Sequence, residues 1–91
     1  MPRIILTGYI LVTDTDLTAI KEALPLHSQL TREEKGCLVF EVSPDKHHAN
    51  RFNVYEEFVD KKAFELHQQR VANSNWGLLT KNVERYYSIK E

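Results

Sequence analysis

The order in which two kinds of apolar pattern alternate along the chain constrains its fold most strongly. Apolar runs rich in β-branched and aromatic residues, typical of strands, occupy residues 3–12, 37–45, 51–59 and 84–91. Helical apolar spacing follows the first and third of these runs. The chain therefore reads strand, helix, strand, strand, helix, strand, which is a split β-α-β pattern that occurs twice. This order predicts an α+β fold, a ferredoxin-like sandwich with a four-stranded antiparallel sheet and two helices on one face.

The first helix is predicted to begin within the sequence TDTD at residues 13–16, which supplies N-cap side chains. Its apolar stripe consists of Leu17, Ile20 and Leu24. The same stripe extended by three residues reaches His27, so this ring is expected to point inward. Pro25 lies inside the pattern, where it removes a backbone donor and crowds the preceding turn. We therefore expect a kink or a restart at Pro25, and an end signal at Gly36 before the second strand.

The second helix is predicted to follow Asp60, whose carboxylate suits an N-cap. Its buried face is expected to contain Ala63, Phe64, Leu66, His67 and Val71. The sequence NSN at residues 73–75 is expected to interrupt this helix before WGLLTKNV continues it. The second and third strands are expected to pair as a hairpin across the turn-forming sequence SPDKHHAN.

The chain is short enough that a second copy is expected to contribute to its stability. Residues 1–91 are predicted to form one domain, and a chain of this length buries only a modest share of its surface. The strand runs suggest that the sheet face away from the helices is also apolar, so we expect a homodimer packed sheet against sheet. A small-molecule pocket is then expected between the sheet and the helices.

Charge and cysteine content exclude several classes of protein. Twelve basic and thirteen acidic residues give a net charge of -1, and no basic run is present, so nucleic-acid binding is not expected. The single cysteine, Cys37, excludes an intrachain disulfide. The apolar stretch near the N-terminus is too short to span a membrane and has no cleavage pattern, so no membrane partner and a cytoplasmic location are expected.

The sequence also resembles a known family, the antibiotic biosynthesis monooxygenases, which are dimeric α+β barrel proteins. The resemblance covers nearly the whole chain and rests on Glu34, Gly36, Cys37, Phe52, Tyr55, Glu56, Ala63, Phe64, His67 and the SNW segment. It implies a homodimer and, for some members, oxygenation of quinols or polycyclic phenols without a cofactor. The family also includes an isomerase of a sugar phosphate and haem-degrading proteins. The haem-degrading branch carries an asparagine on the first strand and a tryptophan before the second helix, where this chain has Thr7, Gly8 and Phe58.

Oxygenation without a cofactor requires a substrate that can itself donate an electron to oxygen, such as a deprotonated phenol or quinol. The protein must remove a proton in a dry pocket and hold the anion. The candidate bases are His67 and His27, since the unperturbed pKa of histidine, about 6.5, suits proton transfer at neutral pH. The candidate substrate-binding residues are Asn53, Tyr55, Phe64, Trp76 and Tyr86. The predicted function is oxidation of a small quinol or phenolic compound by molecular oxygen, with no metal or other cofactor.

Simpler interpretations and two rival functions stay open at this stage. His67 and His27 can instead be packing residues, and Trp76 can be a core residue. Asn53 and Tyr55 share one strand face, but the sequence does not say which face meets the helices. His47 and His48 with Asp45 fit a solvated loop better than a metal site. The rival functions are an isomerase of a small hydroxyketone or sugar phosphate, and a dimeric ligand-binding module without catalysis.

Overall fold

The computed structural model describes residues 2–91 as one four-stranded antiparallel sheet with three helices. The elements in chain order are β1 (Ile4–Leu11), α1 (Asp14–Arg32), β2 (Cys37–Pro44), β3 (Arg51–Phe58), α2 (Lys61–Ala72), α3 (Asn75–Leu79) and β4 (Glu84–Lys90). The spatial order of the strands is β2-β3-β1-β4, and all three neighbouring pairs are antiparallel. The predicted ferredoxin-like fold is therefore confirmed, with a short third helix after the second.

The hydrophobic core lies between one face of the sheet and the helices. Its buried residues are Leu6, Ile10, Val12, Ile20, Phe52, Val54 and Val83. Alternation along β3 places Phe52, Val54, Glu56 and Phe58 in the buried layer, while the residues between them are partly exposed. The predicted stripe of α1 also faces this core, since Ile20 and His27 are buried and Leu17 and Leu24 pack against it.

The expected restart at Pro25 is wrong, because α1 is one continuous helix from Asp14 to Arg32. Pro25 lies on the exposed side of the helix. A carbonyl that loses its helical partner there can bond to water, and the buried residues Ile20 and His27 hold both flanking turns against the sheet.

The second helix begins as predicted, because the Asp60 carboxylate accepts a hydrogen bond from the Ala63 amide at 2.8 Å. The predicted burial of Leu66 is wrong, since this side chain is 55% exposed. His67 is the buried residue of α2, and Leu66 precedes it by 100° around the helix, which turns it outward. Ser74 caps α3 by accepting from the Gly77 amide at 3.1 Å, which confirms the interruption at residues 73–75.

The sheet face away from the helices is aromatic and polar over much of its area, so the expectation of an apolar face is wrong for most strands. Tyr9 stacks on Tyr86 with ring centroids 4.9 Å apart, and the Arg51 guanidinium lies 3.8 Å from the Tyr9 ring centroid. The same face carries Thr7, Asn53, Tyr55 and Glu57, with apolar Ile5, Leu11 and Val39 among them. Within residues 2–91, no helix has the length and apolar character needed to cross a membrane.

Candidate active site

A cavity of about 260 Å³ lies between the sheet and the helices. Its apolar walls are Leu6, Ile10, Phe40, Val42, Val54, Val71 and Val83. Its polar and aromatic lining consists of His27, Glu56, His67, Gln68, Trp76, Thr80, Arg85 and Tyr87. Ligand pockets for small molecules span roughly 300–1,000 Å³, so this cavity suits a small ring compound. The cavity is partly open and combines apolar walls with several polar groups, so a ligand bound in it would be screened from much of the bulk water.

His67 presents one ring nitrogen to the cavity and uses the other to bind Glu34. Its Nδ1 lies 2.9 Å from Glu34 Oε1, and the ring packs against Phe58 with centroids 4.9 Å apart. An ionised carboxylate only accepts hydrogen bonds, so the proton of the neutral imidazole belongs on Nδ1. The lone pair is therefore on Nε2, which lies 3.8 Å from Glu56 Oε1 on the cavity wall.

Glu34 is itself held in place by Arg70. The Arg70 Nε donates to Glu34 Oε2, and Arg70 Nη2 donates to the Thr31 hydroxyl at 2.9 Å. The Thr31 hydroxyl in turn donates to the His27 carbonyl at 2.9 Å. These bonds connect α2 to the end of α1, so the orientation of His67 is fixed by groups outside the cavity.

The protonation states of His67 and Glu56 follow from their burial. Burial lowers the pKa of His67, the Glu34 carboxylate beside Nδ1 raises it, and Arg70 lowers it further, with a net lowering. Burial, assisted by the Glu34 charge, raises the pKa of Glu56 to about 7. Glu56 Oε1 is buried and has no hydrogen-bond partner among residues 2–91. The site therefore offers a neutral imidazole nitrogen next to a carboxyl group that titrates near neutrality.

His27 is a weaker candidate for a base. Its ring stacks on Trp76, and Phe40 meets it edge-on at 5.4 Å between centroids. Burial, together with the nearby Arg70 and His67, lowers the pKa of His27 to about 3. Its Nδ1 is buried without a hydrogen-bond partner among the described residues. His27 therefore stays neutral at physiological pH and is suited to be an aromatic wall of the cavity.

The structure brings together three of the seven candidate site residues. His27, His67 and Trp76 line the cavity. Asn53, Tyr55 and Tyr86 lie on the opposite face of the sheet, because they alternate with the inward-facing residues of their strands. Phe64 is not part of the cavity wall, since its ring packs edge-on against Phe58 at 5.7 Å. The sheet therefore separates the three polar candidates from any ligand in this cavity.

Sequence reasoning missed several residues that lie at the cavity. Glu56 was not among the candidate site residues, yet it lines the cavity and faces His67. Arg85 and Tyr87 line the cavity, and the alternation with Tyr86 on β4 is the signal that could have identified them. Arg85 Nη2 donates to the Thr80 carbonyl at 3.0 Å and to its hydroxyl at 3.2 Å.

The loop with two adjacent histidines has an ordinary structural explanation. The amides of His47 and His48 donate to Asp45 Oδ2 at 2.9 and 3.1 Å, as in an Asx turn. Asp45 Oδ1 also accepts from Asn53 Nδ2 at 3.0 Å. In the part of the chain that the structure describes, no group of three or more His, Cys, Asp or Glu side chains is arranged to hold a metal ion.

Comparison with known proteins supports the fold and the family. The sequence model for antibiotic biosynthesis monooxygenases matches residues 4–76. A candidate antibiotic biosynthesis monooxygenase from Nitrosomonas europaea has a TM-score of 0.82 and 19% identity, covering 99% of this chain and 97% of that one. A second such candidate, from Deinococcus radiodurans, has a TM-score of 0.77 and 22% identity, covering 97% of this chain and 90% of that one.

A third solved structure has a less specific description. It is a conserved protein of unknown function from Bacteroides thetaiotaomicron, described as a possible oxidoreductase, with a TM-score of 0.82 and 17% identity over 98% of this chain and 96% of that one. At these identities the likenesses show the shared fold. No curated protein sequence matches this chain.

Proposed function

The chain belongs to the antibiotic biosynthesis monooxygenase family, and from that premise we propose that it oxidises a small phenolic or quinol compound with molecular oxygen. The proposed reaction uses no cofactor and takes place in the cavity between the sheet and the helices. The observation that carries this proposal is the orientation of His67, whose Nδ1 is bound to Glu34 while its unprotonated Nε2 faces the cavity, 3.8 Å from Glu56 Oε1. This arrangement provides a base where a phenolic hydroxyl would be shielded from water.

The proposed reaction is balanced without an external reductant. His67 Nε2 takes the hydroxyl proton of the phenol, and the anion donates one electron to oxygen. Recombination forms a carbon–oxygen bond at a ring carbon that carries hydrogen. Loss of that hydrogen as a proton and cleavage of the O–O bond give a quinone and water. One oxygen atom thus enters the ring, the other leaves as water, and all four electrons that reduce oxygen come from the substrate.

The remaining cavity residues have matching proposed roles. Glu56, with its pKa raised to about 7, is suited to take or return the second proton during breakdown of the peroxide. Trp76 and His27 offer an aromatic wall for a flat ring. Arg85 supplies a positive charge at the cavity, which favours the anionic form of the substrate.

We also propose that two copies of the chain associate through the open face of the sheet. The central strand β1 presents Thr7 at the middle of that face, next to Tyr55 on one side and Ser88 on the other. Tyrosine and arginine, which are enriched in protein interfaces, occur there as the Tyr9, Tyr86 and Arg51 cluster. A cytoplasmic location stays a prediction.

Oxygen uptake with a panel of naphthols and hydroquinones tests the proposed reaction. The His67→Ala and His67→Gln variants should lose uptake above the autoxidation rate by about 100-fold or more, as expected for loss of a general base. His48→Ala is the matched control, since His48 lies in an exposed loop, and it should retain wild-type rates. Equal rates for the His67 variants and the wild type would contradict the proposed role of His67.

An isomerase is the second candidate function, and one observation favours it. His67 Nε2 and Glu56 Oε1 lie 3.8 Å apart and can serve as base and acid for moving a proton between adjacent carbons. A sugar phosphate would require basic residues at the cavity, where the described residues provide Arg85 alone. Exchange of substrate carbon-bound hydrogen with deuterated water in the absence of oxygen would identify this reaction.

A further inference from the structure

His67 lies between two separate spaces. One is the cavity, which its Nε2 side faces, and the other is an outer groove of about 670 Å³. Glu34 and Arg70 line this groove together with Gly36, Val59, Ala63 and Leu66. The His67 side chain is 4% exposed, whereas that of Glu34 is 18% exposed. The ring therefore connects a buried reaction space with a carboxylate that solvent can reach.

We propose that His67 and Glu34 form a proton relay, through which the proton taken from the substrate in the cavity passes to water in the outer groove. This inference rests on the proposed oxygenase function. The substrate proton binds to Nε2, the Nδ1 proton moves to Glu34 Oε1 across the 2.9 Å hydrogen bond, and the groove water receives it from Glu34. His67 stays neutral overall, with its proton on the opposite nitrogen. The reverse passage returns a proton when the peroxide breaks down to quinone and water.

The charges around His67 favour a relay over storage of the proton on the ring. The groups that face the ring are Glu34 from the α1–β2 turn, Arg70 from α2, Glu56 from β3 and His27 from α1. Desolvation, the largest cause, and Arg70 oppose a buried imidazolium, while the Glu34 carboxylate favours it, and the net effect is a lowered pKa of His67. Glu34 Oε2 accepts from Arg70 Nε and Glu34 lines the outer groove, so a proton received on Oε1 can pass on to groove water. Loss of the Nδ1 proton leaves a neutral ring whose Nε2–H is a much weaker acid than an imidazolium, so the substrate anion is less readily reprotonated before oxygen reacts.

The relay makes Glu34 a positioning residue with a second task, and Glu34→Gln separates the two tasks. The amide oxygen of glutamine can still accept from Nδ1 and hold the ring, but it cannot carry a proton onward. Glu33→Gln is the matched control, since Glu33 is an exposed neighbour that accepts from Gln29 at 3.2 Å. We therefore expect Glu34→Gln to lower kcat by about 10–100-fold at little change in KM. Glu33→Gln should leave kcat unchanged.

Nitrogen-15 NMR of histidine-labelled protein provides a readout that does not depend on activity. The relay predicts that the His67 Nδ1 proton exchanges with water at least several-fold faster in the wild type than in Glu34→Gln, with the same tautomer in both proteins. Equal exchange rates, or a kcat for Glu34→Gln within twofold of the wild type, would overturn the relay. If Glu34→Gln changes the tautomer of His67, the Glu34→Asp variant is the deciding test. A kcat and an Nδ1 exchange rate above those of Glu34→Gln support the relay, and values no higher than those of Glu34→Gln overturn it. Faster wild-type exchange without oxygen uptake on any substrate would overturn the oxygenase function alone.

Discussion

The imidazole ring of His27 lies parallel to the indole of Trp76, with ring centroids 4.4 Å apart and an angle of 6° between the planes. Its buried Nδ1 has no hydrogen-bond partner among residues 2–91. The ring therefore contributes aromatic contact and a desolvated polar atom, and these two contributions have opposite effects on stability.

Replacing His27 should separate these two contributions. We expect His27→Phe to keep the free energy of unfolding within about 1 kcal/mol of the wild type, because the stacking is preserved and a buried polar atom is removed. His27→Ala should lower it by about 2–4 kcal/mol, because it leaves a cavity beside Trp76 and Phe40. Urea unfolding measures both values. Similar decreases in the free energy of unfolding for the two variants would mean that a polar contact of His27 contributes more to stability than its packing.

The pH dependence of stability should show two opposing effects. The pKa of His27 is lowered from 6.5 to about 3, so its contribution to stability is complete above pH 6.5 and is lost as the pH falls towards 3. The pKa of Glu56 is raised from 4.5 to about 7, so the folded state loses stability as the pH rises from 4.5 to 7. The lowered pKa of His67 acts in the same direction as that of His27, so we expect a small net loss of stability as the pH falls from 6.5 to 4.5 and a steeper loss below 4.5. In thermal unfolding measured as a function of pH, His27→Phe should lose less stability below pH 4.5 than the wild type. An equal loss in both proteins would contradict the assignment of this loss to His27.

Removing the charge of Glu56 should stabilise the protein in mild alkali. Above pH 7 the wild type carries a buried carboxylate, whereas Glu56→Gln carries an uncharged group of the same shape. We expect the free energy of unfolding of Glu56→Gln at pH 8 to exceed that of the wild type by roughly 1–3 kcal/mol. Glu57→Gln is the control, since Glu57 is on the other face and accepts from Arg3 at 3.2 Å, and it should give no gain. Equal free energies of unfolding for the two variants at pH 8 would show that Glu56 does not carry a charge in a buried site.

The proposed association of two chains predicts the mass of the protein in solution and a substitution that should halve it. Light scattering should give about twice the chain mass of 10.6 kDa. Thr7→Lys should convert the protein to a monomer, because it places an unpaired charge at the centre of the open sheet face. Lys46→Glu in the exposed loop between β2 and β3 should not change the mass. A monomeric wild type, or a dimeric Thr7→Lys variant, would contradict association through this face.

The element order could be predicted from sequence because it depends on local patterns. Alternation in β3 and the Asp60 cap determine their elements without reference to the rest of the chain. The restart at Pro25 and the burial of Leu66 were wrongly predicted, because both depend on which side of a helix faces the sheet, and tertiary packing decides this. Periodicity alone does not contain that information.

The site was only partly predictable for a related reason. Period-two alternation correctly put Asn53 and Tyr55 together, but it gave no means of choosing the face that meets the helices. Glu34 and His67 are 33 residues apart in sequence, so their hydrogen bond becomes visible only when α2 packs over the turn that precedes β2. Gly36 allows that approach, since an added Cβ would lie 2.2 Å from the Ala63 Cβ.

Following the two atoms of molecular oxygen tests the proposed role of His67 in a monooxygenase most directly. The wild-type protein and His67→Ala would be supplied with a naphthol under ¹⁸O₂, and the products analysed by mass spectrometry. We expect a quinone that contains one ¹⁸O atom, release of H₂¹⁸O, and loss of both products in the variant. Oxidation that produces an unlabelled quinone with hydrogen peroxide, or labelling that persists in His67→Ala, would contradict a monooxygenase in which His67 is the base.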